Sequence, residues 1–171
     1  MRSVKELNGI AILDVAGGKK LGTVDEVVIS PDDGKLLGFV MRGGGVLART
    51  EHVIEADDIR SIGPDAITVD GDDLAHVPEA ASEAIKAART GGRSLMGRTA
   101  VTQQGTALGQ IGDLMLDEDG RRLAAVVIGG GMLGSSDAVP ADRIVSVGPD
   151  VVVVSDIDGA EESGPRPFVT R

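Results

Sequence analysis

The chain has 171 residues, 42% hydrophobic and 26% charged, which is ordinary for a soluble globular chain and supplies enough apolar material for a core. Phe39 and Phe168 are its two aromatic residues, so the core must come from aliphatic side chains, and stacking on single-stranded nucleic acid loses its main tool. The absence of cysteine excludes a disulfide scaffold, a thiolate metal centre and a cysteine nucleophile, and a net charge of −10 repels phosphate backbones.

The opening residues, 1–6, carry no apolar signal core, and the longest uncharged stretch, 123–136, has 14 residues with four glycines and cannot span a bilayer. Residues 21–29 read as a half-buried strand, with Val24, Glu26 and Val28 on one face and Asp25, Val27 and Ile29 on the other. Asp32-Asp33-Gly34 supplies the left-handed residue of a hairpin that returns through 35–41. After a triple glycine at 43–45, residues 46–54 read as another strand, Ala56-Asp57-Asp58 as a polar turn, and Gly63-Pro64-Asp65 as a reverse turn between short strands at 59–62 and 66–70. No helical period appears. So many short strands cannot bury their faces as an open sheet, and closure into a small barrel is expected, with Ile12, Val24, Val28, Val40, Ile59 and Val69 inside.

Between 74 and 92 lies the single helical segment: Pro78 in the first turn, an Ala-rich run from Glu79 to Arg89, then Gly91-Gly92. Its thin apolar stripe of Ala81, Ile85 and Ala88 suits a spacer lying against one barrel. The pattern then starts again. Residues 21–29 lie over 108–116 at an offset of 87, 34–40 over 120–126 at 86, and 56–65 over 141–150 at 85, the last block sharing seven of ten residues. The predicted organisation is therefore all-β: a first barrel at 1–73, a helical linker at 74–92, a second barrel at 93–158 and a flexible tail at 159–171, where Phe168 and Val169 are the remaining apolar pair.

Leu-Gly-x-Ile-x-Asp-Leu at 108–114, Gly-Gly-Met-Leu-Gly at 130–134 and Val139-Pro140-Ala141-Asp142-Arg143-Ile144 resemble the PRC-barrel family. That family includes the cytoplasmic domain of the photosynthetic reaction-centre H subunit and the C-terminal domain of the ribosome maturation factor RimM. The resemblance covers both repeats. The first repeat departs from the pattern where Glu55 stands in place of the proline equivalent to Pro140. A small β-barrel used as a protein-contact module is what the resemblance implies, with no reaction attached.

Motifs that mimic chemistry fail on context. Gly129-x-Gly131-x-x-Gly134 has the letters of a dinucleotide loop, but a strand rather than a helix follows it. Asp117-Glu118-Asp119-Gly120 begins like a calcium loop, yet Arg121 and Ile128 occupy later ligand positions. His52 and His76 stand 24 residues apart, and Ser135 and Ser136 lack an elbow motif. The expectation is a noncatalytic interaction or scaffold protein of the cytoplasm, without cofactor, metal, direct nucleic-acid contact or membrane span. Its partner is another protein or a second copy of the chain. Alternatives are a ribosome or RNA-processing accessory factor acting through a basic protein, and a soluble H-subunit-like component of an electron-transfer complex. The candidate contact residues follow the glycines: Val46 and Leu47 in the first repeat, Met132 and Leu133 in the second. Either they open the next strand and plug the barrel ends, or Val46 and Met132 stand out as apolar knobs.

Overall fold

A computed structural model describes residues 1–43, 50–75, 80–92, 94–129 and 137–156. The first half contributes β1 (Arg2–Ser3), α1 (Val4–Leu7), β2 (Ala11–Asp14), β3 (Lys19–Ile29), β4 (Leu36–Gly43), β5 (Glu51–Glu55), a 3-10 turn (Ala56–Asp58), β6 (Ile59–Ile62) and β7 (Ala66–Val69). After α2 (Glu83–Thr90) come β8 (Thr99–Thr102), β9 (Ala107–Leu116), β10 (Leu123–Gly129), β11 (Asp137–Pro140), a second 3-10 turn (Ala141–Arg143), β12 (Ile144–Val147) and β13 (Val151–Val154).

The halves repeat strand for strand: one sheet runs β5-β4-β3-β2-β7-β6 and the other β11-β10-β9-β8-β13-β12, with a parallel pair, β2 with β7 and β8 with β13, at the same place in each. The fold is thus mostly β in two sheets. Hairpin chemistry is as expected, with Gly34 at φ 69° and Gly120 at φ 70°. The one-turn helix α1 was not expected within the first repeat. It forms because the Ser3 hydroxyl accepts from the Glu6 amide, the near half of a capping box.

Two registers differ from the reading above. In β3, Val24 faces Met41 while Glu26 faces Val40, so Asp25 is an extra residue, and this bulge inverts the alternation beyond it. Val24, Val27 and Ile29 therefore join the interior around Phe39, whereas Val28 and Val40 are buried on the opposite face. Gly112 takes the same extra position in β9, between the pairs Ile111–Ile128 and Asp113–Val127. The strands β4 and β10 correspond at an offset of 87 rather than 86, because Ile29 pairs with Leu36 as Leu116 pairs with Leu123. The two connecting turns are equal in length. What moves is the glycine within them.

The face holding Val28, Val40 and Val53 is covered by Ala81 and Ile85, with Ala88 and Leu37 at its margin, so α2 lies against the first sheet. Arg89 fastens the far end of α2 to Glu26 at 3.1 Å and Glu51 at 3.3 Å. Burial alone would weaken its charge; the two carboxylates outweigh that and hold the guanidinium protonated. Within the expected linker the α-helix spans Glu83–Thr90, and Pro78 and Glu79 lie outside the described residues.

The halves do not keep separate interiors. One cluster of buried side chains runs from Ile12, Phe39 and Ile54 in the first repeat to Ile111, Leu116 and Val126 in the second. β1 also leaves the first half to pair with β9, through Arg2 with Leu116 and Ser3 with Met115. Within each sheet, close strand approach depends on glycine. A Cβ on Gly22 would press into the carbonyl of Arg42 on the neighbouring strand. Gly22→Ala is therefore expected to destabilise the protein by about 1–2 kcal/mol in a denaturant titration, since backbone cannot yield as a side-chain tip can.

Candidate functional site

The two repeats meet through their β3–β4 and β9–β10 turns. Leu36 donates its amide to the carbonyl of Arg121, and Leu123 donates to that of Gly34, both at 2.8 Å, with a bridge between Lys35 and Arg122 beside them. At an offset of 87 these two bonds are the same bond made twice, the signature of a two-fold interface inside one chain.

Side chains break that symmetry. In the second turn, Gly120 brings the backbone down onto Ile62, where an added Cβ would lie 3.0 Å from its Cδ1. The next residue, Arg121, then reaches into the first repeat and donates to the carbonyls of Ala56 at 2.5 Å and Ile59 at 2.6 Å. In the first turn the matching positions are Asp33 and Gly34. Asp33 carries the Cβ that Gly120 lacks, and Gly34 has no side chain to extend. A groove of about 320 Å³ remains there, lined by Gly34, Leu95, Ala141, Ile144 and Val147 and rimmed by Asp32, Asp33 and Asp142, with Arg122 as the described cation on its wall.

The difference shows in burial. Ile59, beneath the Arg121 guanidinium, is 4% exposed, while its counterpart Ile144 is only half-buried. Asp33 is held well below the usual carboxylate range by hydrogen bonds from Lys35 and Ser30, so this carboxylate keeps its negative charge at neutral pH. Arg122 turns toward the carbonyl of Asp33 at 3.5 Å. Among the described residues no three His, Asp or Glu side chains gather as a metal site, and no helix is long and apolar enough to cross a membrane.

Val46, Leu47, Met132 and Leu133 lie outside the described residues, as does His76. The groove was not singled out from sequence, although the contrast of Arg121 with Gly34 was its signal. Aligning the turns at 86 set Lys35 against Arg121 and hid it.

The sequence profile of the PRC-barrel domain matches residues 1–75 and 91–161, one match for each repeat just described. The chain belongs to the PRC-barrel domain family. An uncharacterized protein of Clostridium acetobutylicum is 29% identical to it over 76 residues, covering 42% of this chain and 87% of that relative. The relative is thus little longer than one repeat, whereas this PRC-barrel chain carries two.

Proposed function

We propose that this tandem PRC-barrel chain is a noncatalytic protein-interaction module, its two sheets each closing into a barrel through the three-residue 3-10 turns that join β5 to β6 and β11 to β12. The observation that carries the reading is the groove between the repeats. Asp32, Asp33 and Asp142 line it against Arg122 as the described cation, on a body of net charge −10, and this acidic balance complements a basic protein segment. Catalysis needs a nucleophile with a base or a perturbed acid set in a cleft, and the strongly shifted carboxyl here is spoken for by a lysine and a serine in an exposed turn. A basic ribosomal protein would be one partner of this chemistry. The cytoplasm is the compartment in which this reading places the chain.

The test is affinity purification from the native cell with the intact chain and with the variant D33N/D142N. The reading expects a basic protein that is retained by the first, lost from the second and released by salt. Recovery of the same proteins with both, unaffected by salt, would remove the acidic groove from the function. Direct RNA binding is not expected, because residues of both repeats are net acidic. Filter binding of RNA at sub-micromolar concentration, with the steep salt slope of phosphate contacts, would contradict this.

A further inference from the structure

The internal two-fold axis makes one half of the interface a template for the other. On one side, two carbonyls separated by a 3-10 turn, those of Ala56 and Ile59, receive the guanidinium of Arg121. On the other side the same turn, Ala141–Arg143, is built alike: its closing residue Ile144 has φ −72° and ψ 115°, against −83° and 119° at Ile59, and in each turn the closing amide bonds to the first carbonyl. Ala141 and Ile144 line the groove, and their carbonyls correspond in the repeat to the two that Arg121 meets, but Gly34 sits where the arginine would originate.

We propose that this groove is a guanidinium site that takes an arginine side chain from a partner protein, completing from outside the contact that Arg121 makes from within. The proposal rests on the interaction reading above and specifies its chemistry. Guanidinium is favoured over ammonium because its planar set of donors can meet two carbonyls at once while its faces stay against the apolar wall of Ile144, Val147 and Leu95. Asp32, Asp33 and Asp142 at the rim add attraction for the positive charge. Their pull is moderated by Lys35, which pairs with Asp33 at 2.8 Å, and by Arg122.

The experiment is an NMR titration of the full chain with N-acetyl-arginine amide, and with N-acetyl-lysine amide in parallel. The expected result is saturable binding of the arginine probe, roughly millimolar as suits a single side chain. Shifts should centre on Gly34, Ala141 and Ile144, and the lysine probe should bind at least tenfold more weakly. The variant D33G/G34R gives the first turn the Gly-Arg order of the second and should fill the groove from within, abolishing the response. Asp142→Lys, on an exposed rim position, should weaken it tenfold or more and serves if the double variant does not fold. Equal response to both probes, shifts away from the groove, or undiminished binding by a folded variant would overturn the proposal. If the probe fails while native-cell purification still yields a basic protein that D33N/D142N loses, the guanidinium site alone falls and the interaction reading stands.

Discussion

Phe39→Ala is expected to lower the unfolding free energy by about 3–5 kcal/mol, the largest effect of any single truncation in the protein. Phe39 is fully buried at the middle of β4, and the other large interior side chains of its cluster are Leu, Ile, Val and Met41, too small to fill the space that its ring leaves. The loss should also be felt in both halves. Because one interior cluster joins the repeats, thermal unfolding of the variant should remain a single transition, displaced downward by about 10 °C. Differential scanning calorimetry checks both parts. Two separate transitions, with only the lower one moved, would mean that the repeats unfold independently and that the shared interior is energetically negligible.

Arg121→Ala should cost about 2–3 kcal/mol, the second largest effect. It removes two charge-assisted hydrogen bonds that tie the second turn to the backbone of the first repeat, and it uncovers Ile59. The partly exposed surroundings let water replace some of what is lost, which keeps the figure below the sum of two such bonds. Arg121→Lys should recover little, since an ammonium cannot span both carbonyls. Hydrogen exchange supplies the local readout. Faster exchange at Leu36 and Leu123, whose amides cross the interface beside Arg121, is expected, with the distant α2 unaffected. A fall in stability with unchanged exchange at those two amides would place the effect elsewhere.

Much of this architecture was legible in the sequence for reasons that can be named. The duplication is visible because the turns use the same residues, Ala-Asp before an Ile and Gly-Pro-Asp after it, and turns tolerate few alternatives. The lie of α2 was legible from Ala81, Ile85 and Ala88, which proved to be the side chains that cover Val28, Val40 and Val53. What the alternation of residues could not reveal was Asp25. A bulge leaves no composition signature, yet one extra residue exchanges the two faces of everything beyond it, and this moved Val28 and Val40 from the interior to the face beneath the helix. The merging of the two interiors was hidden too, since a hydrophobic residue states that it will be buried but not whose neighbours will bury it. The groove depended on a single-residue shift of glycine between two turns of equal length, which resembles an alignment gap until the pairing of the flanking strands is known.

The reciprocal bonds of Leu36 and Leu123 have a consequence beyond holding the repeats together. In an association of two separate identical chains, every substitution at such a contact occurs twice, so a change that suits one side must be endured on the other, and the contact dissolves on dilution. Carrying both copies on one polypeptide removes both constraints. The local concentration of one half around the other is fixed by the linker, whatever the concentration of the protein. Each copy of the contact can also drift alone. An arginine can seal one copy while a glycine at the matching place leaves the second unsealed, so that one side ties the repeats together and the other keeps an open groove.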